Sequence, residues 1–495
     1  MKFLLQVLAF AIVYSILFVN KWFGLNILIL DILVITWLAI SKQLKLHNFN
    51  LIFSMSGLLI TGILSVLYYS VLAHVSHAIF AFYFIGSQAL ENARGPAMAI
   101  LSSFVNAVRS QVEFVKSLFS FRIKGKRFSR WIWNLKFYLL PVLLIIIFII
   151  IYRASNPVFN NLVKNINHWL YDNIFWILSS IDADAFWTFV GGLMIGAFVF
   201  FRKIIPDLQK QNEHYADNLT RNREKHFFRF LGLKTENKVG VFLFIILNII
   251  LLTINIIDIN WVWFNFEWEG QYLKQFVHSG TYLLILSILI SIVTVLYFFR
   301  KNQNFYSKNS ILKILAYVWM GQNAILAVSV AIRNMYYITI FNLAFKRIAV
   351  FMFLLFTIVG LITVIIKITR RKTFFYLIKM NLYSLLAIVL LSNFVNWDIF
   401  IAKYNFNHSD TAFIHLDYLS DLSDKALPWL DKSEEELKRI SQAQDSSFKF
   451  EYNYMWPETY HSHIQSRITM FYSKWERKTF LEWNYAEYRA YHMLK

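Results

Sequence analysis

Three groups of side chains in this sequence have the residue types and spacing for chemistry. Asp31 falls in the middle of the apolar run 22–40. A carboxylate there costs about 2.5–3.5 kcal/mol on membrane-insertion scales. It therefore marks a functional site, or a protonated carboxyl that hydrogen-bonds a neighbouring helix and fixes packing. His74 and His77 stand three residues apart on one helical face. Two imidazoles so placed are metal ligands, half of a proton relay, or packing groups; no third ligand motif lies nearby, so no metal is expected. His461 and His463 share a face only in extended chain. The third group comes from order along the chain: Asp258, His278, Arg333 and Arg347 end or begin successive apolar runs, which brings them to one membrane boundary. Opposite charges attract strongly in a partly dry boundary. The group is then a polar network that docks the C-terminal tail on the bundle, a ligand site, or four surface residues with no shared purpose.

Other chemistry leaves no trace. There is no phosphate-binding loop, no His-Glu-x-x-His and no Gly-x-Ser-x-Gly, and the chain has no cysteine, which removes disulfides and thiolate metal sites. No catalytic residue, cofactor or metal is assigned. An enzyme that assembles scattered Asp and His residues across helices would show no local motif.

The elements that position these residues are membrane helices. Of the 495 residues 58% are hydrophobic and 16% charged, against roughly 25% charged in soluble domains. Eleven runs approach the ~20 residues needed to span a bilayer: 3–19, 22–40, 51–69, 71–89, 133–152, 186–202, 239–258, 280–299, 311–331, 346–367 and 374–394. The fourth is the weakest and is either a span or re-entrant. Phe18-Val19-Asn20-Lys21 offers no signal-peptidase site, so the first run is read as retained.

Charge sets the orientation. Lys and Arg number nine in 90–136, nine in 202–238, four in 300–313 and five in 367–379, and the intervening connectors are poorer. By the positive-inside rule the rich set is cytoplasmic, the chain runs N-in and C-out, and the tail is extracytoplasmic. The net charge of +20 divides unevenly: residues 1–394 carry 37 Lys and Arg against 14 Asp and Glu, residues 395–495 carry 12 against 15. The basic excess thus belongs to loops facing anionic headgroups, not to a nucleic-acid interface.

Three connectors are patterned. Apolar residues at helical spacing predict interfacial helices near 97–119 and 158–181, and 202–238 reads as a solvated cytoplasmic hairpin. In the tail, Ser433-Glu434-Glu435-Glu436 and Thr479-Phe480-Leu481-Glu482 match the capping box and predict helix starts. The fold expected is all-α: a polytopic bundle over 1–394 and a small, mainly helical extracytoplasmic domain over 395–495.

With these residues in place the chain resembles a family of bacterial multi-pass membrane proteins classed as domain of unknown function 4153/4173. The resemblance rests on Asn396, Asp398, Ile401, Ala402, Tyr404 and Asn405, then Leu416-Asp417-Tyr418-Leu419 and Ala426-Leu427-Pro428. It rests also on Phe276-Val277-His278-Ser279-Gly280, and on Arg333-Asn334-Met335-Tyr336-Tyr337 through Arg347. Asn342 and Ala344 stand where Gly and Thr are usual. The family implies an integral protein of the cytoplasmic membrane and supplies no reaction. Topology makes Asn396, Asp398, Lys403, Tyr404, Asn405, Asp417 and Tyr418 a docking collar between bundle and tail. The functional reading is a scaffold whose 395–495 region binds a membrane or envelope protein. The alternatives are a permease or lipid-handling transporter built around Asp31, and an enzyme acting at the outer boundary.

Overall fold

A computed structural model describes residues 2–495 other than 45–47, 91, 121, 124–125, 128–140, 142–143, 146, 171–181, 202–205, 222–231, 267–280, 449–450 and 452. Among the described residues the chain is helical, and its only strand pairing is a two-residue ladder, Arg122–Ile123 with Lys126–Arg127, and a bridge between Asn218 and Lys372. Helices are what long apolar runs must form in hydrocarbon, because only there does each segment satisfy its own backbone groups.

Among the described residues seven helices are long and apolar enough to cross a membrane: Phe49–Tyr68, Val71–Ala89, Ala183–Phe200, Leu233–Phe264, Ser310–Phe341, Phe345–Thr369 and Phe374–Ser392. Three shorter apolar helices, Lys2–Phe18, Leu25–Ile40 and Thr281–Phe298, occupy three further expected runs. Most of the remaining run, 133–152, lies outside the described residues. The weak fourth run is a full 19-residue helix, entered at Ser70, whose hydroxyl accepts from the Ala73 amide.

The distribution of side chains is that of a protein in lipid. Large residues such as Ile16, Phe242, Ile249, Leu283 and Val293 face outward, whereas Ser54, Thr61, Ser65 and Asn323 are buried. Helix Pro96–Ser120, expected as an interfacial helix, carries this inversion clearly. It packs through Ser102, Ser103, Asn106 and Ser110 and turns Leu101, Phe104, Val108 and Val112 outward. Helix Pro157–Leu170 likewise exposes Val158, Leu162, Ile166 and Trp169; residues 171–181 of the second expected interfacial helix lie outside the described set. The chain is an integral membrane protein.

Its loops gather on two faces. On one, the described residues 206–221 of the 202–238 connector are mostly exposed and are tied to the bundle at a few points. Helix Pro206–His214 presents Asn212, which accepts from the Arg94 amide at 2.9 Å and donates to the Asn92 carbonyl at 2.8 Å. The chain then runs alongside 371–373, where the Leu219 amide reaches the Arg371 carbonyl at 2.9 Å, and Lys379 pairs with Asp217 at 2.6 Å. These bonds tie one end of the connector to the bundle, and residues 222–231 of the expected hairpin lie outside the described set.

The other face carries Asn20–Gly24, Tyr69–Ser70, the Asn342–Ala344 turn and the described residues after Ser392. There Ile338, Leu343 and Ile348 of the bundle join Ile401, Leu419, Leu430, Leu437, Tyr460, Ile464, Phe471 and Ala490 in one apolar core. Helix Glu434–Ser447 begins at Ser433, whose hydroxyl accepts from the Glu436 amide at 3.2 Å. The Thr479 box forms too, but it caps a 3-10 turn, Phe480–Glu482, and the following helix starts only at Tyr485. The reason is tertiary: the Trp483 carbonyl is drawn away to the Leu25 amide at 3.1 Å.

Candidate functional site

The polar residues of interest meet at the joint between bundle and C-terminal segment. Lys425 is the centre of it. Its ammonium is 2.8 Å from Asp398 and donates to the Tyr69 carbonyl at 3.0 Å, with only 1% of the side chain exposed. Tyr69 ends helix Phe49–Tyr68 in the left-handed region at φ 45. Its carbonyl is one of those a helix end leaves without an intrahelical donor, and the lysine supplies that donor. Asp398 also accepts from the Ser423 amide at 3.3 Å, tying the first helix of the segment, Trp397–Asn407, to the turn that carries Lys425.

Asn405 makes the second stitch. Its amide accepts from the Leu343 N–H at 2.9 Å and donates to the Leu343 carbonyl at 3.0 Å. It thus reads the turn between helices Ser310–Phe341 and Phe345–Thr369 as a neighbouring strand would. Asn342 in that turn has φ 63 and ψ 177, a region that costs side-chain-bearing residues of order 1–3 kcal/mol and that glycine enters far more readily. Its amide donates to the Phe413 carbonyl at 3.2 Å, and the Tyr418 hydroxyl accepts from the Phe345 amide at 3.0 Å. Replacing Asn405 with leucine leaves two buried backbone groups unpaired, at about 1–3 kcal/mol each. The expected outcome is protease-sensitive C-terminal helices in a bundle that is otherwise intact, measured by limited proteolysis in detergent.

Other collar positions do less. Lys403 is exposed and lies 4.8 Å over the Trp429 ring, and Tyr404 stacks on His408. Asn396 precedes helix Trp397–Asn407 without capping it through its side chain, and the Asp417 carbonyl accepts from the Ser420 hydroxyl.

Of the boundary cluster, Asp258 and Arg333 form a buried ion pair at 2.5 Å, with side-chain exposures of 8% and 6%. Asp258 is the last α-helical residue before a π-helical turn, Ile259–Phe264. Arg347 joins them indirectly: its guanidinium lies 3.5 Å over the Tyr337 ring and its carbonyl accepts from the Asn334 amide at 3.0 Å. His278 lies outside the described residues.

Asp31 and His77 are brought together inside the bundle at 3.6 Å. The placement follows from counting. Asp31 is six residues into helix Leu25–Ile40 and His77 six into Val71–Ala89, so at 1.5 Å per residue both lie about 9 Å below the face that carries the C-terminal segment. Gly62, six residues back from Tyr68, closes the site from the third helix. A Cβ there would come within 2.7 Å of the Asp31 carboxylate, so only glycine admits the approach. His74 does not join this pair. It sits at 2.7 Å from the Ser70 carbonyl and stacks on Phe23. The two histidines are therefore not two ligands of one ion, and among the described residues no group of three His, Asp or Glu is arranged to hold a metal.

Asn248 and Gln322 cross-link their helices: Gln322 donates to the Asn248 side chain at 2.8 Å, and Asn255 donates to the Gln322 carbonyl at 3.1 Å. Such bonds are worth about 0.6 kcal/mol on average within a membrane. Asn323 donates to the Trp319 carbonyl of its own helix.

Sequence reasoning missed Lys425 and Tyr69. The available signal was a lysine held between Leu422 and the apolar string Ala426-Leu427-Pro428-Trp429-Leu430, where a charge needs a partner. Comparison with curated proteins and with solved structures returns no match. A family model does match over residues 5–433, stopping at the capping serine of helix Glu434–Ser447, and the chain belongs to that family, Domain of unknown function (DUF4153).

Proposed function

We propose that this membrane protein is a scaffold that presents its C-terminal segment to an envelope protein partner, with that segment on the extracytoplasmic side. What supports the reading is the joint itself: buried polar stitches fix the segment to the bundle, while Tyr454 and Trp456 are left 75% exposed at one end of helix Pro457–Glu476. A rigid support and exposed aromatic anchors are what a protein-binding surface needs. The basic loops of the opposite face suit a cytoplasmic leaflet with anionic headgroups.

Truncation at residue 431 is a poor test, because Leu437, Tyr460, Ile464 and Phe471 complete the shared core. The test is the full chain with Tyr454→Ser and Trp456→Ser, cross-linked in membranes and purified in mild detergent. Partners held by wild type should be lost from the variant at equal abundance; identical recovery would sink the scaffold reading. Single cysteines at Ser441 and Ser307, labelled by an impermeant maleimide, address the side: reaction from outside is expected at Ser441 alone.

A second reading, proton-coupled transport, is favoured by one observation, the buried Asp31–His77 pair. Asp31→Asn keeps the shape and removes the charge. Loss of phenotype at unchanged abundance would support transport, whereas unchanged phenotype assigns Asp31 to packing.

A further inference from the structure

We propose that a cleft between the Asn20–Gly24 loop and helix Pro457–Glu476 binds the anionic headgroup of a membrane lipid. The cleft has a volume of about 630 Å³ and is lined by Trp22, Met470, Ser473, Lys474 and Arg477, with Glu482 at its base. That size suits a small ligand or headgroup.

Position makes the ligand a lipid. Trp22 lies just beyond the end of helix Lys2–Phe18 and is 70% exposed, an amphipathic ring of the kind that sits at headgroup level. On that helix Ile16 and Ile12, four residues apart on one side, face outward. They offer an apolar track for the chains of a lipid whose headgroup occupies the cleft. Phe480, 75% exposed, stands beyond the end of the Pro457–Glu476 helix and next to the cleft-lining Thr479.

Charge makes the headgroup anionic. Lys478 is already taken by Glu487, and Glu482 accepts from the Trp22 amide and the Thr479 hydroxyl. Lys474 reaches Asp424 only at 3.7 Å, and that carboxylate is held by Arg467 at 2.7 Å. Arg477 forms no ion pair with the described residues. Lys474 and Arg477 thus line the cleft, the first with only a long contact to Asp424 and the second with no ion pair to the described residues, and an Arg guanidinium matches phosphate oxygens in geometry as well as charge. Ser473 lines the same cleft.

Cations in the last turn of a helix also balance its dipole. That role would alter stability alone, so lipid retention separates the two. The experiment uses the full-length protein in nanodiscs of phosphatidylcholine with or without phosphatidylglycerol, followed by native mass spectrometry after partial delipidation. Wild type should retain one more phosphatidylglycerol than Lys474→Gln/Arg477→Gln, with phosphatidylcholine retention equal. Ser473→Asp, which leaves both cations in place, should show the same loss, and Lys116→Gln on the opposite face should not. Retention of that lipid should weaken as salt rises. Equal phosphatidylglycerol retention by wild type and both cleft variants overturns the proposal. Displacement of the lipid by millimolar inorganic phosphate overturns the lipid as ligand in favour of a soluble anion.

Discussion

Replacing Lys425 with methionine is expected to loosen the C-terminal segment from the bundle at a cost of about 3–5 kcal/mol, the usual result of breaking a buried ion pair from one side. Methionine fills much of the same volume, so the loss is one of charge: Asp398 keeps a carboxylate in a largely dry joint, and the Tyr69 carbonyl loses its donor. The double variant Lys425→Met/Asp398→Leu should recover part of the deficit, because it removes the unpaired carboxylate, while the Tyr69 carbonyl stays without its donor and the Ser423 amide loses its acceptor. Hydrogen exchange over 416–430 reads the effect directly. If the single variant were as protected as wild type, Lys425 would not be the fastening point.

The same lysine gives a pH dependence. Burial pushes its ammonium below the ordinary lysine range, and the attraction of Asp398 only partly opposes this. Over the window between that lowered value and 10.5 the unfolded chain binds more protons than the folded one. The contribution of Lys425 to stability is therefore greatest above the window and is lost as pH falls through the folded value. Wild type should show an alkaline rise in stability that Lys425→Met lacks.

Arg333→Met is the second large effect expected, again about 3–5 kcal/mol. Asp258 is 6% exposed and its second carboxylate oxygen has no hydrogen-bond partner among the described residues. Without the guanidinium it must take up a proton or draw in water. The π-helical turn begins at the next residue, so the disturbance should spread there first, and Trp263, whose indole donates to Ser329 at 2.9 Å, should report it. Stability measured by detergent-denaturant titration should fall sharply for Arg333→Met and also for Asp258→Asn, which takes the carboxylate charge away from a buried guanidinium. Equal, small losses would place the pair in a wetter site than its burial indicates.

The helices were legible in the sequence because lipid imposes one rule everywhere: apolar runs of sufficient length become helices. The family match, over residues 5–433, reaches well beyond the short strings that carry the resemblance. The meeting of Asp31 with His77 was legible only in part. Each residue was visible, yet their pairing needed the depth of both from a common face, a count that His74 with its more obvious spacing obscures. Asn405 belonged to a recognisable string, but its role depends on a turn 62 residues earlier. Lys425 was opaque because its partners are a carboxylate 27 positions away in the numbering and a main-chain carbonyl 356 away. A carbonyl has no sequence signature.

Those separations bear on how the protein is made. The amide of Trp22 waits for Glu482, 460 residues later, and the Tyr69 carbonyl for Lys425. Helices emerging first from the ribosome are thus inserted with their membrane-boundary ends unfinished, and contacts of this range form late and slowly. Biogenesis cannot close the molecule until its last helices have arrived. A chain cut before Glu482 would leave the Trp22 amide without its acceptor, so a truncation near residue 482 should be felt at the first two helices as well as at the cut.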